Sequence, residues 1–189
     1  MVRYSHLLSI RRSVRDYQAR AVPLELLHEI IGESCLAPSA SNRQPWHFII
    51  INSKPWMVRL SRESKANLLR DFNDNPSTLL RKYEAVLRDD SFNVFYNAPC
   101  LVYITGSEEI RSLDLDCALA ASYFMFSAAA RGLGTCWVAL GGRIVDPLLR
   151  SELGLRDDFR IVAPIIVGYP KRVPPPLVRN EPQILKVIE

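Results

Sequence analysis

Apolar residues recur along this chain at two different spacings, and the two spacings predict different elements. In residues 23–31 they occupy positions 24, 27, 30 and 31, which is the stripe of an amphipathic helix with Pro23 in its first turn. Continuous apolar runs are typical of buried strands instead. Three such strands are predicted, at residues 46–51, 100–105 and 160–167.

Three further helices are predicted, at residues 54–70, 78–88 and 113–130. The first two are separated by the break Asn73-Asp74-Asn75-Pro76. The third is so rich in alanine and large apolar side chains that we expect it to be nearly fully buried. Gly132 is expected to end it in the left-handed conformation, and a strand should follow Gly134.

The last twenty residues have a different character from the rest of the chain. Prolines recur between residues 170 and 182, which predicts an extended segment rather than a core. The segment closes with the apolar run at residues 184–188, and an apolar strand is not stable alone in water. We therefore expect residues 170–189 to form a tail that packs on a partner subunit.

These elements predict one domain over residues 1–189, with the fold class α+β. The arrangement we expect is a three-layer α/β sandwich, in which a central mixed sheet is flanked by helices. At 189 residues and 48% hydrophobic composition, the chain can bury one sizeable core. No apolar run reaches the length of a membrane span and no signal peptide is recognisable, so we expect a cytoplasmic protein without a membrane partner.

Several classes of function find little support in the composition. The net charge of +4 could suit nucleic acid, but acidic residues are interspersed with the basic ones and no basic stripe is present, so we expect no nucleic-acid partner. No metal site is expected, because the histidines and cysteines show no ligand spacing. The cysteines (35, 100, 117 and 136) are interpreted as small core residues, and Trp46, Trp137 and His47 as structural.

Two polar segments carry the chemistry. Residues 38–44 bring Ser39, Ser41, Asn42 and Gln44 together after Pro38, which suits a flat heterocycle with donors and acceptors along one edge, although an ordinary surface turn has the same composition. Residues 11–15 place three arginines beside Ser13, which suits a phosphate, although a solvated basic face is the alternative. On a helical turn, Arg11 and Arg15 would lie on the same face.

These two segments, in this order, resemble the nitroreductase family of FMN-dependent oxidoreductases. Residues 131–137, 153–155 and 163–171 are similar to the C-terminal half of that family, so the likeness runs from about residue 9 to 179 and is weakest between 54 and 97. The resemblance implies a homodimer whose C-terminal extensions are exchanged between subunits. It also implies that the variable residues 54–97 cap the substrate pocket.

The resemblance further implies roles for individual residues. Arg11 and Ser13 would hold the FMN phosphate together with Arg179 of the tail, and Arg15 would lie near the pyrimidine edge of the flavin. The loop at residues 38–44 would pack on the flavin of the partner subunit. Near the reactive ring nitrogen, the family often has an acidic residue before glycine, where this chain has Leu140-Gly141-Gly142-Arg143. The candidate cofactor-binding residues are therefore Arg11, Arg12, Ser13, Arg15, Pro38, Ser39, Ala40, Asn42, Gln44, Gly141, Gly142 and Arg179.

The function predicted from these observations is hydride transfer from NADH or NADPH, through FMN, to a small electron-poor acceptor such as a nitroaromatic or a quinone. No side chain is expected to act as a catalytic acid or base, because the flavin performs the chemistry. Three alternatives remain: a flavin-binding sensor or carrier without turnover, a basic protein that binds nucleic acid, and another reaction of the same fold, such as dehalogenation or flavin fragmentation.

Overall fold

A four-stranded sheet forms the centre of the fold in a computed structural model, which describes residues 4–74 and 78–189. The strands lie in the order β1-β2-β4-β3, and each neighbouring pair is antiparallel. Their bounds are His47–Ile51 for β1, Cys100–Ser107 for β2, Gly134–Trp137 for β3 and Phe159–Gly168 for β4. The three strands predicted from apolar runs are confirmed.

The expected mixed sheet needs a correction in detail. All four strands are antiparallel, and the parallel contribution is one isolated bridge between Ser13 and Thr135 of β3. The N-terminal segment therefore joins the sheet edge at a single point and does not form a fifth strand. The α+β class is confirmed.

Six α-helices are present in the described parts of the chain, and five of them contribute buried residues to the two faces of the sheet. They are α1 Tyr4–Ile10, α2 Leu24–Ser34, α3 Lys54–Asp74, α4 Glu84–Arg88, α5 Leu113–Ala130 and α6 Pro147–Glu152. Short 3-10 turns lie at Ala40–Asn42, Leu79–Tyr83 and Ala139–Gly141. Pro23 is the residue that precedes α2 rather than part of its first turn. Asn75 and Pro76 of the predicted break lie outside the described residues.

The alternation of side chains along β2 explains the three layers. Val102 and Ile104 face the cluster that α2 and α5 complete, whereas Leu101 and Tyr103 face the cluster that contains α3, α4 and α6. A strand buried on both faces has a continuous apolar sequence, because neither set of alternate positions meets water.

The helix α5 has the bounds that the sequence predicts, and Gly132 follows it with a φ of 74°, as expected for a left-handed cap. By length and composition alone this helix could cross a membrane. Cys117 and Phe124 on its inner face are fully buried in the core between α2 and the sheet, as in the core helix of many globular proteins.

Candidate functional site

The predicted phosphate-binding segment, residues 11–15, here called the arginine segment, is extended rather than helical. The Val14 amide donates to the Thr135 carbonyl of β3 at 2.9 Å, and this long-range bond holds the segment against the sheet edge. Successive side chains of an extended chain point to opposite sides, so Arg11, Ser13 and Arg15 share one side while Val14 is buried on the other. The helical turn on which Arg11 and Arg15 would share a face is therefore not formed, yet the two arginines still line one groove.

A groove of about 520 Å³, here called the arginine groove, lies between this segment and the tail. Within the described residues, none of its four arginines forms an ion pair. Four unpaired guanidinium groups around one groove create a strongly positive site that suits a phosphate. The groove is lined by Leu8, Ser9, Arg11, Arg12, Ser13, Arg15, Pro174, Pro175, Pro176, Leu177 and Arg179.

Arg12 is the most constrained of these arginines. Its Nη1 donates to the Arg11 carbonyl at 2.7 Å. Its Nε is buried and has no hydrogen-bond partner in the described part of the protein. A buried donor without an acceptor is unfavourable, so an anion that entered the groove and reached this N–H would remove that cost.

The tail approaches the arginine groove because its first residues pair with the N-terminal segment. Tyr17 forms an antiparallel bridge with Pro170, and the Lys171 amide donates to the Asp16 carbonyl at 3.0 Å. The Gln18 side chain donates to the Pro170 carbonyl, also at 3.0 Å. These contacts direct the proline-rich chain over the segment of its own chain and bring Arg179 to the groove, whereas the packing of the tail on a partner subunit stays a prediction.

A second, smaller cavity of about 170 Å³ adjoins the groove through Arg15 and is called here the Arg15 cavity. Three aromatic residues and several aliphatic residues line this cavity together with Arg15. Leu80 and Tyr83 come from residues 54–97, the region predicted to cap the substrate pocket. The cavity is lined by Arg15, Leu80, Tyr83, Tyr96, Cys136, Trp137, Val138, Ala139 and Leu140.

The glycines at 141 and 142 lie directly after this cavity lining, which ends at Leu140. Gly141 is buried, and a Cβ at this position would overlap the Phe95 ring. Its carbonyl accepts a hydrogen bond from the Tyr103 hydroxyl at 2.8 Å. Gly141 therefore permits close packing behind the cavity, a role that the sequence did not predict.

The thiol of Cys136 also faces the Arg15 cavity. Burial raises the pKa of this thiol, and the positive charge of Arg15 only partly opposes the effect. Burial likewise raises the pKa of Cys100 to about 12. These thiols stay protonated at neutral pH, which does not suit a thiolate nucleophile. The expectation of core cysteines is confirmed for Cys100, Cys117 and Cys136, whereas Cys35 is only partly buried.

The loop at residues 38–44, the polar loop, has an unusual backbone. Ser41, Asn42 and Gln44 have φ values of 52°, 54° and 47°, in the left-handed region. The Ser39 hydroxyl accepts the Gln44 amide at 3.0 Å, and the Ala40 amide donates to Asp116 Oδ1 on α5, also at 3.0 Å. Strained backbone of this kind persists only where surrounding contacts hold it, and it is common at ligand sites.

The polar loop and the arginine segment do not meet within one chain. No residue of the loop lines the arginine groove or the Arg15 cavity. Pro38, Ala40, Asn42 and Gln44 are solvent-exposed in the single chain, and Ser39 is half-buried. The structure therefore brings together Arg11, Arg12, Ser13, Arg15 and Arg179, places Gly141 and Gly142 directly after the lining of the Arg15 cavity, and leaves the loop residues apart.

Trp46 and His47 are structural, as the sequence predicted. Trp46 is buried in the core, and the His47 ring packs edge-on against Phe159 with 4.7 Å between ring centres. Trp137 is only partly buried and lines the Arg15 cavity, so the interpretation of this residue as a core anchor was incomplete. In the part of the chain that the structure describes, no three His, Cys, Asp or Glu side chains are grouped to hold a metal ion.

Comparison with known proteins agrees with this architecture. Residues 8–169 match the nitroreductase family. A protein of Methanothermobacter thermautotrophicus, which carries the provisional name NADH dehydrogenase/NAD(P)H nitroreductase, is 25% identical over 177 residues, 88% of this chain and 77% of that protein. The chain therefore belongs to the nitroreductase family.

Two solved structures show the same fold. A nitroreductase with bound FMN from Desulfitobacterium hafniense superposes with a TM-score of 0.82 at 21% identity, over 99% of this chain and 100% of that one. An iodotyrosine deiodinase bound to FMN and 3-iodo-L-tyrosine superposes with a TM-score of 0.75 at 22% identity, over 97% and 99% of the two chains. The predicted nitroreductase fold is confirmed.

Proposed function

We propose that this protein is an FMN-dependent oxidoreductase that transfers hydride from NADH or NADPH to a small electron-poor acceptor, such as a nitroaromatic or a quinone. The observation that carries the proposal is the arginine groove, with four unpaired guanidinium groups, joined through Arg15 to an aromatic cavity. A phosphate-bearing heterocycle has a phosphate that suits the groove and a flat ring system that suits the aromatic cavity. The family membership and the provisional name of the archaeal relative support the donor.

The donor set of the groove fits the phosphate of FMN. Arg11, Ser13 and Arg179 would hold its oxygens, and the buried Arg12 Nε, which lacks a protein acceptor, offers a further donor. Arg15 would lie toward the ring system, because it alone of the four arginines also lines the aromatic cavity.

Bound FMN supplies two-electron chemistry, accepting hydride from the nicotinamide donor and passing it to the acceptor. The side chains of this protein would bind, orient and exclude water. Arg15 would supply a positive charge toward the negative charge that develops on reduction. Leu80 and Tyr83 close the Arg15 cavity on the side of residues 78–88, and the protonated Cys136 thiol adds no competing charge.

We also propose that the active form is a homodimer, because the two polar segments are separated within one chain. Leu115, Leu119 and Tyr123 are exposed at four-residue spacing, so they form an apolar stripe along α5. In the tail, Val178 and Leu185 are 98% and 97% exposed. A second copy would cover both surfaces and bring its polar loop to the flavin. A small-molecule acceptor, the absence of nucleic-acid or membrane partners and a cytoplasmic location complete the proposal.

Reductive dehalogenation is a second candidate, favoured by the close structural likeness to the FMN-bound iodotyrosine deiodinase. It would use the same groove and cavity with a halogenated aromatic acceptor. The two reactions differ only in which acceptor reoxidises the reduced protein.

The proposal is tested by the visible spectrum of the purified protein reconstituted with FMN or riboflavin. We expect tight FMN binding, much weaker riboflavin binding, and bleaching by NADH or NADPH without oxygen. A nitroaromatic, a quinone or a halogenated tyrosine is then added to find the acceptor that restores the colour. Equal affinity for both flavins would contradict the phosphate site, and FMN binding without bleaching would indicate a sensor or carrier.

A further inference from the structure

Tyr96 is the side chain most closely associated with Arg15. The Arg15 guanidinium carbon lies 5.5 Å from the centre of the Tyr96 ring, within the range of a cation–π contact. The same ring also packs edge-on against Phe92, with 5.6 Å between ring centres and an interplanar angle of 85°. Phe92 thus restrains the ring that Arg15 contacts.

The backbone that carries Tyr96 is strained and firmly held. Tyr96 and Asn97 both have a φ of 52°, a left-handed conformation that is uncommon for a bulky aromatic residue. The Tyr96 amide donates to the Asn93 carbonyl at 2.8 Å. The Asn93 side chain accepts the Phe95 amide at 2.8 Å.

A buried lysine fixes the start of the same loop. Lys65 of α3 donates to the carbonyls of Asp89 and Phe92 at 2.5 and 3.0 Å. Strain that is maintained by such contacts marks a side chain whose position matters. The contacts form a continuous series from Lys65 through the loop and Tyr96 to Arg15.

We propose that Tyr96 is a positioning residue for Arg15, which holds the guanidinium over its ring in the orientation that receives the flavin. This inference rests on the proposed function. It states that Tyr96 fixes the orientation of Arg15, rather than the reverse. Arg15 is solvent-exposed, so without its aromatic support it would sample other rotamers, since a long side chain loses its preferred geometry when its packing partner is removed. Because reduced flavin carries more negative charge than oxidised flavin, this loss would weaken binding of the reduced form more.

The test compares Tyr96→Leu, Tyr96→Asn and Tyr96→Phe in the full-length protein reconstituted with FMN. Leucine and asparagine remove the ring, and asparagine also tolerates the left-handed backbone, so it separates loss of the ring from loss of the fold. Phenylalanine keeps the ring and is the matched control. The readout is the ratio of reduced to oxidised FMN affinity, obtained from the midpoint potential of bound flavin relative to free flavin.

We expect this ratio to fall about three- to tenfold in both Tyr96→Leu and Tyr96→Asn, and to change less than about twofold in Tyr96→Phe. In an Arg15→Ala background the Tyr96 substitutions should have no further effect, because the group they position is absent. An unchanged ratio in Tyr96→Asn, or an equal fall without Arg15, would overturn the inference. Failure of the unaltered protein to bind FMN would instead contradict the proposed function.

Discussion

The arginine segment and the polar loop are both rich in hydrogen-bonding groups. Within one chain, the segment forms a groove with residues from elsewhere in the sequence, whereas the loop lines neither this groove nor the Arg15 cavity. The segment lies against β3, receives the tail, and gathers four guanidinium groups around one groove. The loop is held in a strained conformation by Asp116 and Ser39, yet its outer side chains face solvent. A loop that is held in place while its outer side chains face solvent is the basis for our proposal that it forms one half of a site whose other half lies on another copy.

The two halves also differ in how they are stabilised. The segment is fixed by backbone bonds to the sheet edge and to the start of the tail. The loop depends instead on a side chain of α5, Asp116, which also accepts from the Ser112 hydroxyl at 2.8 Å. Changes in the segment should therefore affect flavin affinity directly, whereas changes behind the loop should act through its order.

The largest effect is expected from the double variant Arg11→Ala/Arg179→Ala. Two charge-assisted hydrogen bonds to phosphate, at ~1.5–3 kcal/mol each, would be lost, so FMN affinity should fall about 10²- to 10⁴-fold. Riboflavin affinity should change less than about threefold, because riboflavin has no phosphate. Flavin fluorescence titration measures both affinities. The matched control is Arg62→Ala on the exposed face of α3, away from the groove. An equal loss for both flavins would contradict the assignment.

An intermediate effect is expected from Ala40→Trp in the polar loop. Ala40 is exposed, so the chain alone should accommodate the larger side chain without loss of stability. If a second copy places the loop against the flavin, overpacking by ~1–3 kcal/mol should reduce FMN affinity about 5- to 100-fold. Affinity is measured by titration, with the melting temperature of the flavin-free protein as the control. Unchanged affinity would place the loop outside the site.

A smaller effect is expected from Asp116→Ala, which removes the carboxylate that accepts the Ala40 amide. Loss of a charge-assisted bond to a buried side chain should cost about 1–3 kcal/mol in the free energy of unfolding. FMN affinity should fall only a few-fold, because the loop loses order but keeps its side chains. Hydrogen exchange at the amides of residues 39–44 should rise relative to those of residues 12–15. An equal rise in hydrogen exchange at both groups of amides would show that Asp116 does not act specifically on the loop.

The smallest effect concerns the pH dependence of stability and the ion pair between Glu33, near the end of α2, and Arg131. Hydrogen bonds from Arg131 and Ser127 lower the pKa of Glu33 from its ordinary value of 4.5 to about 2. A carboxylate whose pKa is lower in the folded state stabilises the protein above pH 4.5, and this contribution is lost as the pH falls toward about 2. The Glu33 side chain is 47% exposed, so solvent screening limits the contribution to ~0.5–1 kcal/mol.

Chemical denaturation of the unaltered protein and of Glu33→Gln at about pH 6 and about pH 3 measures this term. The difference in unfolding free energy between the two proteins should be largest at the higher pH and shrink at the lower one. A difference that does not vary with pH would show that the ion pair contributes through packing and hydrogen bonding alone.

Sequence patterns predicted the core helices and strands well, because burial determines the spacing of apolar residues along the chain. The apolar runs of β2 and β4 and the alanine-rich α5 are buried by the sheet and helices around them, so their sequences carry the signal directly. The helix α1 was not predicted, since none of its residues is buried and it has no apolar stripe facing a core.

The site was predictable in its residue types but not in its geometry. Arg11, Ser13 and Arg15 share one side of either a helical turn or an extended chain, so only the long-range bond between Val14 and Thr135 decides between them. Tyr96 and Asp116 were missed because their partners, Arg15 and the Ala40 amide, lie far away in the sequence. Local composition contains no signal for such contacts.

The central claim, that one flavin site combines the groove of one copy with the loop of another, is tested most directly by mixed dimers. Two differently tagged chains are co-expressed, one carrying Arg11→Ala/Arg179→Ala and the other Ala40→Trp, and the mixed dimer is isolated through both tags. One of its two sites then contains both altered halves and the other contains neither. We expect the mixed dimer to bind about half the flavin of the unaltered dimer, with unaltered affinity. Each variant homodimer should bind flavin weakly. A mixed dimer with no unaltered site would contradict the claim and place the whole site within a single chain.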